Sequence, residues 1–102
     1  MLESEIHRLK GELLLNADKD EAAAQSFHDA IELARRQGAK SWELRATTSL
    51  ARLLASQQRG DEAGSMLAEI YGWFTEGFDT ADLKDAKALL DQLSDPVKNS
   101  EG

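Results

Sequence analysis

The chain contains no cysteine, which excludes a disulfide framework and a thiolate metal site. Proline is almost absent as well, with Pro96 alone near the C-terminal end, so little interrupts helix formation. No apolar run approaches the roughly 20 residues that a membrane-spanning helix needs, and no N-terminal stretch resembles a signal peptide. Positive charge is also short, at 12 Lys and Arg against 19 Asp and Glu, and the resulting −7 is spread along the whole chain. Phosphate binding relies on clustered Lys and Arg, so nucleic acid and anionic membranes are poor general partners. A reduced, cytoplasmic compartment is expected. What remains is one domain of 102 residues, 30% charged and only 6% aromatic, in which the core must be economical.

Apolar spacing predicts five helices and no strands. Ile6, Leu9, Leu13 and Leu14 recur three and four apart over 3–16, as one helix face requires. Asp18 followed by Glu21 is read as an N-cap with its reciprocal acid, opening a second helix that carries Ala23, Phe27, Ala30, Ile31 and Ala34. Gly38, after Arg35 and Arg36, is read as the left-handed stop of that helix. Ser41 is read as the cap of a third helix over 42–57, with Leu44, Thr47, Leu50, Ala51 and Leu54 inward. A fourth helix carries Ala63, Met66, Leu67, Ile70, Tyr71 and Phe74 and closes at Gly77. A fifth, capped by Asp79 or Thr80, carries Leu83, Ala86, Leu90 and Leu93.

A shift of 40 residues superimposes the helix pairs in kind: Gly11 meets Ala51, Leu14 meets Leu54, Ala23 meets Ala63 and Phe27 meets Leu67. Glycine inside a helix costs about 1 kcal/mol relative to alanine, so Gly11 predicts a close neighbour that needs the space. Phe27 and Leu67 are the large groups expected to fill the gap between paired helices.

On these residues, residues 5–37 and 42–75 resemble tetratricopeptide repeats. A small and a large residue sit in the first helix, then Ala, three residues, Phe or Leu; in the first repeat Ala30 follows two residues on. Ile70 takes the place of that alanine in the second, and neither repeat has the closing proline. The resemblance implies an all-α domain over 1–94. Two antiparallel helical hairpins, over about 3–37 and 41–76, would stack in a right-handed superhelix, with a capping helix over about 80–93 and a flexible polar tail over 95–102. The strings 6–15, 36–45 and 71–84 are similar to the C-terminal helical region of bacterial signalling ATPases and nucleotide-cyclase regulators. Neither catalytic domain is part of this chain.

Candidate chemistry is sparse. Gly38-Ala39-Lys40-Ser41 lacks the upstream glycine, the Gly-Lys pair and the preceding strand of a phosphate-binding loop. His28 and Glu32 share a helix face but have no third ligand, so no metal site is expected. No carboxylate pair, nucleophile or cofactor motif stands out, and the chain is not expected to be an enzyme. Of the aromatics Tyr71, Trp73, Phe74 and Phe78, Trp73 lies off the apolar face and is a candidate interface anchor.

The tetratricopeptide resemblance implies a concave face made by the first helix of each repeat, which on this chain maps to Arg8, Glu12 and Leu15, then Arg45, Thr48 and Arg52. Three arginines would converge there on an acidic peptide or carboxylate, since Arg forks suit bidentate oxyanions. A solvated face of Arg–Glu pairs such as Arg8–Glu12 is the alternative. The expected function is protein–protein interaction through a peptide or partner helix. The alternative is a regulatory or sensor segment of a signal-transduction ATPase or cyclase whose catalysis lies elsewhere. With no hairpin before it, the first helix is expected to keep an apolar outer flank. The chain is therefore expected to self-associate or to have been cut from a longer array.

Overall fold

A computed structural model describes residues 3–74 and 81–93. It contains five helices, α1 (Glu3–Asn16), α2 (Asp20–Gln37), α3 (Lys40–Ser56), α4 (Gly60–Trp73) and α5 (Ala81–Leu93), and no strand among the described residues. The expected closure at Gly77, the cap at Asp79 or Thr80, Phe78 and the polar tail lie outside the described residues.

The turns between α1, α2, α3 and α4 share one geometry, repeated every 20 residues. Asp18, Gly38 and Gln58 each adopt a left-handed backbone, with φ of 60°, 66° and 63°. The next N–H in each case reaches back to close the preceding helix: Lys19 to Leu14 O at 2.8 Å, Ala39 to Ala34 O at 2.8 Å and Arg59 to Leu54 O at 2.9 Å. This is the six-to-one bond that commonly ends helices with a left-handed residue. Gly38 fits its expected role. Asp18 does not act as an N-cap; it is the stop of α1, and α2 starts beyond Lys19 without a side-chain cap. Ser41 likewise lies inside α3, whose flanking residue is Ala39. In both corrections the turn is set by the backbone of the helix that ends, not by a hydroxyl or carboxylate of the helix that begins.

Successive helices meet in opposite order. Gln37 at the end of α2 donates to Glu3 at the start of α1 at 3.2 Å, and the Ser4 hydroxyl donates to Ala30 O at 2.9 Å. Lys40 at the start of α3 reaches Trp73 at the end of α4, and Gly60 opens α4 against Leu93 at the end of α5. Helix α3 also packs on α1 and α5, while α2 and α4 make no backbone approach to each other among the described residues. The domain measures 41 × 37 × 19 Å, and its short dimension matches two helix diameters of about 10 Å each.

Helix α3 is the centre of the core. Leu44, Ala46, Leu50, Ala51, Leu53 and Leu54 are all buried, together with Glu43, Thr47, Thr48 and Ser49. Around it pack Phe27, Ala30 and Ile31 of α2, Ala63, Leu67 and Ile70 of α4, and Leu83, Ala86 and Leu89 of α5. Leu90 and Leu93 are partly buried against this cluster, and Leu89 joins it beside them.

The four residues singled out by the 40-residue shift, Gly11, Phe27, Ala51 and Leu67, are all buried. A Cβ at Gly11 would lie 2.5 Å from Cε1 and 2.7 Å from Cδ1 of Phe27, so the ring occupies the space a side chain would need. The apolar residues of α1 divide, with Leu14 and Leu15 packed against the core and the rest of the row turned away. Ser4 and Gly11 form its buried side, whereas Ile6, Leu9 and Leu13 are exposed and Leu14 is partly buried.

Gly11→Ala should therefore destabilise the protein by about 1–3 kcal/mol, because overpacking outweighs the gain of about 1 kcal/mol in helix propensity. In a Phe27→Leu background the same change should be nearly neutral. Urea unfolding of the four chains reads the coupling, and an additive result would mean that the ring does not set the approach of α1 to α2.

Candidate partner-binding surface

Four of the six candidate residues of α1 and α3 meet at one depression, which Glu12 and Leu15 do not line. Arg8, Arg45, Thr48 and Arg52 line a cavity of about 260 Å³ together with Ser49 and with Asp82 and Asp85 from α5. Leu15 is partly buried against the core, and Trp73 lies on another side of the molecule.

The depression is built from a continuous polar network across three helices. Arg45 of α3 donates from Nε and Nη2 to Asp82 of α5, the shortest bond being 2.9 Å, and from Nη1 to Glu5 Oε2 of α1 at 3.0 Å. Glu5 also receives Arg8 Nε at 2.9 Å and Nη2 at 3.1 Å. Glu12 stands 3.6 Å from Arg8 and accepts the Ser49 hydroxyl at 2.9 Å. The Thr48 hydroxyl donates within its own helix to Leu44 O at 2.8 Å, so it is satisfied without a partner from outside the helix.

The charges are mutually balanced to a degree that counting arginines on α1 and α3 does not foresee. Glu5, Asp82 and Asp85 interleave with the three cations, so the face is a mixed ion network. Arg52 differs from Arg8 and Arg45: it is exposed and makes no ion pair among the described residues. Its guanidinium is the cation on this face available to an incoming carboxylate. Glu5 and Asp82 are absent from the sequence-derived set. The Glu5–Arg8 spacing of three residues was a readable signal for the first; the second lies 37 residues from Arg45 and has no local signature.

Hydrogen bonding from Arg8 holds the Glu5 carboxyl below its ordinary value, with the charges of Arg8 and Arg45 adding to the effect and partial burial opposing it. The Arg45 guanidinium is held protonated more firmly than usual, first by its bonds to Asp82.

Trp73 is 56% exposed, packs edge-to-face on Phe74 with ring centroids 5.1 Å apart, and has Lys40 Nζ 5.6 Å from its ring. It borders a separate groove between α2 and α4, floored by Thr47 and Ile70. At the edge of this groove the buried Glu43 carboxylate takes both Arg35 at 2.9 Å and Lys40 at 3.2 Å. Lys40 of the loop-like Gly38–Ser41 string is thus committed to Glu43. His28 is exposed beside the same groove, and Glu32 pairs with Arg36 at 3.7 Å. Among the described residues no three His, Asp or Glu side chains are placed to hold a metal ion, and no helix is long and apolar enough to cross a membrane.

No protein-family model matches the chain, and no curated protein or solved structure does either.

The depressed Glu5 carboxyl stabilises the fold above its ordinary value near 4.5, and that contribution is lost as pH falls through the lower folded value. Glu5→Gln should lower stability at pH 7 by about 1–2 kcal/mol, because charge-assisted bonds to two arginines are removed. It should also flatten the acid limb of the stability profile below pH 4.5. Urea titrations at several pH values test this; parallel acid limbs for the two chains would exclude Glu5 as a contributor.

Proposed function

We propose that the chain is a protein-interaction module of tetratricopeptide type. In this reading α1–α2 and α3–α4 are two nested hairpins, α5 closes the second, and the face shared by α1, α3 and α5 receives a peptide or partner helix. The arrangement is supported by the order of contacts. Glu5 meets Arg45 and Glu12 meets Ser49, so α1 lies against α3, while among the described residues α1 makes no backbone approach to α4, the helix that an up-and-down bundle would bring back beside its first. The pairs Gly11 with Phe27 and Ala51 with Leu67, each 16 residues apart, give both hairpins the same small-against-large relation.

The observation that carries the functional reading is the depression where the three odd-numbered helices meet, with Arg52 at its edge free of any ion pair among the described residues. An incoming carboxylate can engage Arg52 without first breaking an ion pair to any described residue. Arg45 instead would have to release Asp82 or Glu5. Selectivity on this face therefore belongs to Arg52, and Arg45 acts as the tie that keeps the three helices in register.

Selection of displayed peptides against the full chain should enrich ligands that carry an acidic residue. Arg52→Ala should weaken the best of them about tenfold, the loss of one charge-assisted pair, with the unfolding midpoint unchanged. Absence of any enriched peptide, or affinities indifferent to Arg52→Ala, would remove this face from consideration.

A further inference from the structure

Helix α1 has two unlike sides. Ser4 and Gly11 are buried, while Ile6, Leu9 and Leu13 on the opposite side are 60%, 50% and 69% exposed. These three sit at spacings of three and four, the pattern of a helix that expects another helix. Forty residues on, the same positions of α3 are Ala46, Ser49 and Leu53, and all three are buried. The cover there includes the preceding hairpin, as the Ser49 bond to Glu12 of α1 marks. The α1 stripe is thus the surface on which a neighbour belongs, and among the described residues it has none.

The side chains say which neighbour. Where α3 is covered within the chain, two of the three residues are small, Ala46 and Ser49, and admit a close approach. On α1 all three are bulky, which suits interlocking with another projecting row of side chains. The far end of the molecule differs, because α5 turns Lys84, Asp85, Lys87 and Gln92 outward. Copies adding head to tail would have to bury the apolar stripe against that polar helix. Among the described residues the other exposed large hydrophobic side chain is Trp73, which stands singly beside Lys40, so the row in a second molecule that complements the stripe is the same stripe.

We propose that the chain forms a closed two-fold dimer in which α1 packs antiparallel against α1 of a second copy, through Ile6, Leu9 and Leu13. Such an interface is isologous and stops at two, since among the described residues each copy has one exposed apolar row. A helix of 14 residues is about 21 Å long and offers less than the roughly 1,200 Å² of a standard interface, so the dimer is weak, with Kd on the order of tens to hundreds of micromolar. The inference rests on the nested-hairpin reading for the equivalence of α1 and α3; loss of peptide binding would strike the function assigned above and leave the association state unaffected.

Sedimentation of the full chain up to about 1 mM, spanning the expected Kd, should show one species passing into a dimer and nothing larger. Leu9→Glu should weaken association at least about tenfold without moving the urea midpoint, because Leu9 is half exposed in the single chain. The absence of native cysteine allows a second test: oxidised Leu9→Cys chains should cross-link as dimers, and Gln92→Cys chains on α5 should not. A monomer throughout, growth beyond two, association indifferent to Leu9→Glu, or cross-linking at Gln92 would each overturn the proposal. A monomer would assign the stripe to another part of a longer polypeptide or to a different partner.

Discussion

The fold depends on the face of the Phe27 ring lying where a side chain at position 11 would be. Helix axes ordinarily stand about 8–10 Å apart, and the separation is set by the residues at the crossing. Removing the side chain at Gly11 lets α1 settle onto α2, which brings the Ser4 hydroxyl to Ala30 and leaves both fully enclosed. The same approach fixes the rotation of α1. With Gly11 and Ser4 inward, Glu5 and Glu12 must turn toward α3, and Ile6, Leu9 and Leu13 must turn away.

That rotation decides everything downstream of it. Glu5 and Glu12 reach Arg45 and Ser49 because α1 is held in this orientation, and Arg45 in turn reaches Asp82 on α5. Three helices that are distant in sequence are tied by a row of charge-assisted bonds over an apolar core centred on α3. Partly exposed ion pairs contribute modestly to stability, and their value here lies in register. They set which residues face the shared depression and leave Arg52 as its cation without an ion pair among the described residues.

Periodicity in the sequence was enough to locate five helices, and a glycine inside a helix was enough to expect a close neighbour, which the structure identifies as the Phe27 ring. Other features were not legible, for physical reasons. An amphipathic pattern reports that a helix has sides, not which side meets its own chain; in α1 Ser4, Gly11, Leu14 and Leu15 face the core, and Ile6, Leu9 and Leu13 face away from it. Asp18 and Asp79 read equally well as helix starts, because Asp serves both as an N-cap and as a left-handed stop. The structure gives Asp18 the second role, as it does Gln58, which bears the strain of a positive φ without glycine. The 20-residue spacing of these stops was the available signal. Arg8, Arg45 and Arg52 line one depression, yet the partners that Arg45 finds on α5 could not be read from local spacing.

Whether α1 lies on the Phe27 ring with its acidic edge against α3 can be read by proton NMR of the intact chain. The Gly11 α-proton resonances should be shifted upfield by the ring, with cross-relaxation to the Phe27 ring protons and between Glu12 and Ser49 across α1 and α3. Gly11 α-protons at ordinary helix shifts with no cross-relaxation to Phe27 would contradict it.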